Sequence, residues 1–189
     1  MKIYTRGGDT GETGLLSGER VQKDDPRVKT YGSLDELQSH LGLARSLTDE
    51  EIVGSVLYEI QRDIFVAGSE LASAPERLSH LRRRLGTPEV SRLEEIIDAF
   101  TDRYGLPQGF VVPGRSPDSA ALHVARAVCR RCERLIVLLN RQTRAYAELI
   151  VYFNRLSDLL FVLAWSLEVR AVIRQVVKEV SSGTQESTS

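Results

Sequence analysis

The chain has 189 residues, of which 42% are hydrophobic and 27% are charged, and its formal net charge is −1 at pH 7. This length suits one domain with a sizeable core, and the near-zero charge excludes a global field that attracts nucleic acid. No apolar stretch reaches the roughly 18 residues of a membrane span, and the first residues lack the apolar segment of a secretory signal. We therefore expect a cytoplasmic protein that binds neither nucleic acid nor membrane.

Residues 1–23 are predicted to form a loop rich in glycine. Five glycines fall between positions 7 and 18, mixed with threonine and serine. Such a loop frees backbone N–H groups, and together with threonine hydroxyls, Arg6 and Lys23 these suit a polyanion. The spacing is not that of a Walker A loop, and no predicted strand precedes it as a dinucleotide fingerprint requires. By itself the loop is a weak signal.

Helical hydrophobic periodicity recurs along the rest of the chain, whereas no segment alternates long enough to predict a strand. The predicted helices cover about 26–47, 50–74, 89–104, 116–141 and 146–180. The expected fold class is all-α, and five helices with short connections favour a five-helix bundle. Residues 1–180 are expected to form one domain, and 181–189 a disordered polar tail.

The most informative segment, residues 130–134, reads Arg-Arg-Cys-Glu-Arg within an otherwise apolar helix. At 100° per residue, Arg126, Arg130 and Glu133 share one stripe, about 100° from the apolar stripe. Guanidinium groups packed this closely repel one another, and their planar forks match phosphate oxygens. The segment therefore predicts an anion site, and a solvated face with Glu133 paired to its helical neighbours is the alternative.

Several other polar residues of the sequence favour structural interpretations. Cys129 and Cys132 fall on the apolar stripe, and the further ligands of a zinc site are missing, so both are predicted to be buried. His123 lies near the basic face but, as a single histidine, is interpreted as structural. The arginine run 82–84 lies in the predicted loop 75–88 and is interpreted as solvated.

Asn154 is predicted to lie at the edge of the core face of the last helix. An amide in such a place needs hydrogen-bond partners, because leaving it unpaired is costly. It either caps a neighbouring helix end or holds a ligand.

Seven ordered motifs, spread over residues 2 to about 170, resemble those of the PduO-type ATP:cob(I)alamin adenosyltransferases. The matching segments are Thr5–Gly11, Asp25–Val28, Tyr31-Gly32, Asp35–Leu37, Leu122–Arg126, Arg130–Arg134 and Asn154–Asp158. Several motifs in family order are far more specific than any one of them alone.

The resemblance implies a five-helix bundle assembled as a homotrimer with active sites between subunits. It implies transfer of the 5′-deoxyadenosyl group of ATP to the cobalt of cob(I)alamin, giving adenosylcobalamin and triphosphate. The nucleophile is Co(I) itself, so no nucleophilic side chain is needed. Mg²⁺ would be held by the ATP phosphates rather than by side chains. A reductase and an adenosylcobalamin-dependent acceptor enzyme are possible partners.

The resemblance also implies roles for individual residues. ATP would be bound by Thr5, Arg6, Gly7, Gly8, Thr13, Gly14, Lys23, Arg130, Arg131, Glu133, Arg134 and Asn154. The catalytic residues would be Arg126, Arg130, Glu133 and Phe110. Asp35 would pair with Arg126 across a subunit boundary. Phe110 occupies the position of the aromatic wedge that displaces the lower axial ligand of the corrinoid, and an ordinary hydrophobic plug between helices is the alternative.

Two positions depart from the family pattern. The family usually reads Pro-Gly-Gly-Ser/Thr where this chain has Pro113-Gly114-Arg115-Ser116. If the replaced glycine had a positive φ, arginine there would cost about 1–2 kcal/mol. Arg115 either adds an anion contact or points to water. Arg6 stands where lysine is common, which preserves charge but not geometry.

Two other functions compete with catalysis. A helical bundle could bind ATP without catalysis and act as a cobalamin carrier or regulator. Alternatively, a structural bundle could use its arginines only to bind the acidic surface of a partner, in which case ATP would not shift its melting temperature.

Overall fold

The structure, a computed structural model, describes residues 2–186, with side chains as far as residue 182. The elements are strands β1 (Glu12–Gly14) and β2 (Arg20–Gln22), helices α1 (Pro26–Leu47), α2 (Glu51–Leu71), α3 (Thr87–Tyr104), α4 (Pro117–Thr143) and α5 (Ala147–Glu186), and a 3₁₀ helix (Pro75–His80) between α2 and α3. Most of the described chain is helical, which confirms the helical class predicted from periodicity. Between residues 2 and 186, no helix combines the length and apolar character needed to cross a membrane.

Local capping chemistry sets the starts of the helices. The Asp25 carboxylate accepts a 2.8 Å hydrogen bond from the Arg27 amide, and Pro26 occupies the first turn of α1. Ser116 caps α4 in the same way, followed by a proline. Helix α3 begins two residues before the predicted Glu89, because that side chain accepts a 3.0 Å hydrogen bond from the Gly86 amide and closes the first turn.

Helix α4 lies at the centre of the helical packing. It packs against α1 on one side and α5 on the other, while α2 packs on α1 and α3 packs on α5. The core consists mainly of leucine, isoleucine and aromatic side chains from these helices, including Leu37, Leu41, Leu57, Ile60, Ile64, Leu122, Ile136, Tyr152, Phe153 and Leu160. Because its neighbours cover the apolar stripe of α4, its arginines are left towards the surface.

The N-terminal segment is more ordered than the predicted loop. Strands β1 and β2 form an antiparallel hairpin with Glu12 opposite Gln22. The hairpin turn is fixed to the end of α2, because the Leu16 amide donates to the Ala72 carbonyl at 3.1 Å and Arg77 donates to the Ser17 carbonyl at 3.1 Å. Strands of three residues are too short for the alternation that reveals a strand in sequence.

The arginine run 82–84 is exposed, as interpreted from sequence, but two of its members also pair with buried acids. Arg83 pairs with Asp63 at 3.0 Å, and Arg84 pairs with Glu70 at 3.1 Å. Both carboxylates are on α2 and are almost completely buried, at 1% and 0% exposure. The run therefore neutralises two buried acids and holds the segment before α3 against α2.

Helix α5 is longer than predicted. It continues to Glu186 rather than ending near Val180, and its surface is exposed from residue 172 onward. Residues 181–186 of the predicted disordered tail are thus helical, and 187–189 lie outside the described residues. The hydroxyls of Ser181 and Ser182 donate hydrogen bonds to backbone carbonyls of the preceding turn, which is compatible with a helix. Because these side chains are polar, hydrophobic periodicity could not predict this part of α5.

Candidate active site

A cavity of about 460 Å³ lies between α4 and α5 and gathers four of the residues predicted to bind ATP. It is lined by Arg130, Glu133, Arg134, Val137, Leu138, Arg141 and Asn154. The Asn154 amide nitrogen donates to Glu133 Oε1 at 3.2 Å. Three guanidinium groups around one polar cavity suit a phosphate-rich ligand. Arg141, about two helical turns after Arg134 on α4, was not among the predicted site residues.

Arg131 is the exception among the arginines of the motif. It forms an ion pair with Glu36 on α1 and does not line the cavity with Arg130. The hydrogen bond from this arginine lowers the pKa of the Glu36 carboxyl. A step of one residue turns a helical side chain by about 100°, which sends Arg131 towards α1. Its predicted contact with ATP stays a prediction.

Arg126 lies one turn before Arg130, and both line a second cavity, of about 640 Å³, between α3, α4 and α5. The Arg126 Nε atom is buried and has no hydrogen-bond partner among the described residues. An unpaired buried N–H of a cation is costly, so this position calls for an acceptor from outside the chain.

Asp35, the predicted partner of Arg126, is exposed on α1 beside Tyr31 and Phe65. Within residues 2–186 no ion pair joins it to Arg126, so that pairing stays a prediction.

The N-terminal residues predicted to wrap the triphosphate face solvent. Thr5, Arg6 and Gly7 are exposed, and Arg6 has a left-handed backbone with φ 60°. The side chain of Lys23 packs against Gly8. Its Nζ lies 3.2 Å from the point that a Cβ on this glycine would occupy. Thr13 and Gly14 belong to β1. None of these residues lines the cavity around Arg130 in the same chain.

Sequence analysis missed an ion-pair chain beside the arginines. Arg155 contacts Glu94 of α3 at 2.9 Å and Asp158 at 2.9 Å. All three line the 640 Å³ cavity together with Arg126 and Arg130. Arg155 and Asp158 lie in the same motif as Asn154, which was the available signal, but their pairing with α3 depends on how the helices pack.

Phe110 lies in the irregular segment before α4, and its ring is fully exposed. It lines a cavity of about 550 Å³ with Trp165, Val169 and Ile173 of α5. A fully exposed ring is not a plug between helices, so that alternative does not fit.

Arg115 lines the same cavity. Among the described residues only Arg6 and Arg144 are non-glycine residues with positive φ, so Arg115 does not carry the strain considered from sequence.

The two cysteines are buried, as predicted. Cys129 Sγ donates to the Phe153 carbonyl at 3.4 Å, and Cys132 Sγ donates to the Ser33 carbonyl at 3.2 Å. Burial raises the pKa of Cys132 to about 12, so the thiol is protonated at neutral pH and unreactive. Across residues 2–186, no group of three or more histidine, cysteine or acidic side chains is placed to hold a metal ion.

His123 forms a buried pair with a carboxylate of α5. Its Nε2 lies 3.6 Å from Glu168 Oε1, and its ring meets that of Phe161 edge-on at 6.2 Å. Burial lowers the pKa of the imidazole, and Glu168 opposes that shift. The histidine is therefore buried beside an acidic neighbour that the sequence did not reveal, and neither ring nitrogen has a hydrogen-bond partner among the described residues.

Comparison with known proteins agrees with this geometry. Residues 3–167 match the family model for cobalamin adenosyltransferase. A corrinoid adenosyltransferase of Citrobacter freundii is 42% identical over 163 residues, which cover 86% of this chain and 93% of that protein. The corrinoid adenosyltransferase PduO of Salmonella typhimurium is 40% identical over 181 residues, which cover 96% of this chain but 54% of that relative.

A similar solved structure is that of a variant PduO-type ATP:corrinoid adenosyltransferase from Lactobacillus reuteri, complexed with cobalamin and ATP. Its TM-score is 0.83 at 36% sequence identity, with 88% of this chain and 93% of that chain covered. The family model alone covers most of the chain, and the fold agrees with it. The chain therefore belongs to the cobalamin adenosyltransferase family.

Proposed function

We propose that this protein transfers the 5′-deoxyadenosyl group of ATP to the cobalt of cob(I)alamin, giving adenosylcobalamin and inorganic triphosphate. The observation that carries the proposal is the cavity where Arg130, Arg134 and the Asn154–Glu133 pair meet, in a chain of this family. The relatives are named corrinoid adenosyltransferases, and the L. reuteri protein is complexed with both cobalamin and ATP.

The arginine-lined cavity takes the nucleotide. Triphosphate is the leaving group, and negative charge grows on it as the bond to C5′ breaks. Arg130 and Arg134 stabilise that charge, and a Mg²⁺ ion bound with the nucleotide would supply further positive charge there. Glu133 holds the amide nitrogen of Asn154, which leaves the amide oxygen free to accept a hydrogen bond from the nucleoside.

The 550 Å³ cavity takes the corrinoid. Its lining is largely apolar, which suits the face of a large macrocycle. In this proposal Phe110 displaces the lower axial ligand of the corrinoid, and the exposure of its ring at this cavity supports that role. The protein's task in the transfer is alignment, since C5′ must lie in line between cobalt and the leaving oxygen.

The working enzyme is a homotrimer in which the N-terminal loop of one subunit completes the nucleotide cavity of the next. Three features of the single chain support this assembly. The buried Nε of Arg126 has no acceptor among the described residues, Thr5, Arg6 and Gly7 face solvent, and the aromatic ring of Phe65 is 71% exposed beside Asp35. Aromatic side chains are enriched at interfaces between subunits.

The remaining parts of the proposal follow from family and sequence. Residues 1–180 form one domain, in which the five α-helices make the bundle. The protein is cytoplasmic, receives Co(I) corrinoid through a reductase and delivers adenosylcobalamin to an acceptor enzyme, without nucleic acid or membrane.

The test is an anaerobic mixture of the protein, Mg-ATP and chemically reduced cob(I)alamin, followed by visible absorption. We expect conversion to the spectrum of adenosylcobalamin that depends on both ATP and protein. A folded protein that binds ATP but forms no Co–C bond would refute the transferase and favour a cobalamin carrier.

A further inference from the structure

Arg115 is the one cation among the residues that line the 550 Å³ cavity. Apart from it and Glu168, the lining consists of apolar side chains, glycine and proline. Arg115 itself is exposed, so its guanidinium reaches solvent at the edge of the cavity. A cation at the edge of an otherwise apolar cavity indicates a ligand that is apolar over most of its surface and carries a localised negative charge.

No described side chain neutralises Arg115. Between residues 2 and 182 it takes part in no ion pair and no side-chain hydrogen bond. Glu168, the acid of the same cavity, has its Oε1 buried and turned towards His123 at 3.6 Å. Asp118, the nearest acid in sequence, accepts hydrogen bonds from Ser116 and Ser119 at the start of α4. The guanidinium is therefore free for a ligand.

The local backbone carries Arg115 without strain. The preceding glycine, Gly114, takes the left-handed turn with φ +117°, and the next residue, Ser116, is the extended N-cap of α4. A side chain at position 115 is thus accommodated in the turn, whereas one at position 114 would be strained. The arginine that departs from the family pattern is compatible with the fold and changes only the charge at the cavity edge.

We propose that Arg115 pairs with the phosphodiester of a complete corrinoid and makes this protein prefer such corrinoids over those that lack the nucleotide loop. The inference rests on the proposed function, because it takes the cavity to be the corrinoid site. The peripheral groups of the macrocycle are neutral carboxamides, and the phosphodiester that joins the lower nucleotide is the charged group. A cobinamide lacks this nucleotide loop and offers Arg115 no such partner.

The protein carries its own probe for the test. Trp165 is the single tryptophan of the chain and lines the same cavity. Quenching of its fluorescence by bound corrinoid measures affinity without turnover. The comparison uses cobalamin and cobinamide, each titrated against the wild type, Arg115→Gln, Arg115→Lys and a matched exposed arginine variant on α2, Arg62→Gln.

We expect Arg115→Gln to raise the Kd for cobalamin by up to about fivefold, the upper end of the range for an exposed charge pair, and to leave the Kd for cobinamide unchanged. Arg115→Lys should retain most of the affinity, and Arg62→Gln all of it. Added salt should weaken cobalamin binding in the wild type more than in Arg115→Gln. In turnover, the KM for cob(I)alamin should rise while kcat is unchanged.

Equal effects of Arg115→Gln on both corrinoids, or none on either, would overturn the inference. Failure of the proposed function gives a different result: the wild type would still discriminate the two corrinoids by quenching but would form no adenosylcobalamin. Absence of quenching by either corrinoid would remove the cavity as their site, and this inference with it.

Discussion

Neighbouring arginines of α4 have different surroundings although they share one motif. Arg130 lines the 460 Å³ cavity, Arg131 pairs with Glu36, and Arg126 has a buried Nε without an acceptor among the described residues. Each residue advances the helix by about 100°, so an arginine faces an open cavity, a neighbouring helix or the helical interior according to its position. Substitutions along the motif should therefore have unequal effects.

Replacing Arg130 by alanine should lower kcat/KM by about a hundredfold or more, because under the proposed function it removes a cation that stabilises the departing triphosphate. The melting temperature should change by no more than about 2 °C, since the side chain is exposed. The anaerobic spectral assay and a thermal melt measure the two effects. Arg62→Ala, which removes an exposed arginine of α2, is the control. Unchanged kcat/KM in Arg130→Ala would contradict the assignment of this site.

The buried pair of His123 and Glu168 should make stability depend on pH. Burial holds the pKa of His123 below its ordinary value, and Arg126 lowers it further, while Glu168 opposes both. The unfolded chain then binds this proton more readily, so stability is full above about pH 6.5 and falls as the pH drops below it. The urea midpoint should decrease from pH 7.5 to pH 5.5 more in the wild type than in His123→Gln. Parallel curves for the two proteins would show that another group governs the dependence.

At the scale of elements, a buried carboxylate joins three helices. Asp63 of α2, 1% exposed, accepts a 3.0 Å hydrogen bond from Tyr152 of α5 and pairs with Arg83 and with Arg92 of α3. Helix α3 packs chiefly on α5, so this cluster is its link to α2. Since α3 forms one wall of the cavity that Arg126 lines, the cluster helps to hold that wall in place.

Asp63→Ala should destabilise the fold by about 2–4 kcal/mol, because it leaves the buried Tyr152 hydroxyl unpaired and two arginines without their acid. Both arginines are partly exposed and can regain water, which keeps the loss below that of a fully buried pair. Tyr152→Phe, which removes a single hydrogen bond, should cost about 1 kcal/mol. Urea unfolding measures the loss of stability in each variant. Equal losses in the two variants would show that the Asp63 cluster does not link α3 to α2.

At the scale of the whole molecule, the single chain leaves its proposed site unfinished. Among the described residues, the Arg126 Nε atom has no acceptor, Asp35 has no cation, and the glycine loop does not line the arginine cavity. A cyclic trimer would bring one subunit's Asp35 and loop to the next subunit's arginines, so that each interface yields one site.

The Asp35–Arg126 pair can be tested by exchanging its charges. Asp35→Arg alone and Arg126→Asp alone should each reduce activity at least about tenfold and weaken the trimer, since like charges then meet at the interface. The double variant should regain part of both. Sedimentation and the spectral assay measure assembly and turnover. Additive losses in the double variant would exclude direct contact between the two side chains.

The sequence by itself determined the helical class, most helix bounds and the candidate residues of the site. Apolar periodicity, proline and side-chain caps act within about four residues of chain, so Pro26, Ser116 and the stripe of Cys129 and Cys132 could be interpreted locally. The ordered motifs identified Arg130, Glu133 and Asn154 in the same way. Their mutual contact was an inference from resemblance until the geometry placed them around one cavity.

Only the tertiary structure decided how these residues are paired. Asp63 and Glu70 appear in sequence as ordinary polar positions of α2, yet packing buries both and gives them Arg83 and Arg84 as partners. The N-terminal hairpin, the Arg131–Glu36 pair and the exposure of Phe110 depend likewise on segments far apart in the chain. Local chemistry specifies helices and their faces, whereas the partner of each charged side chain depends on which faces the packing brings together.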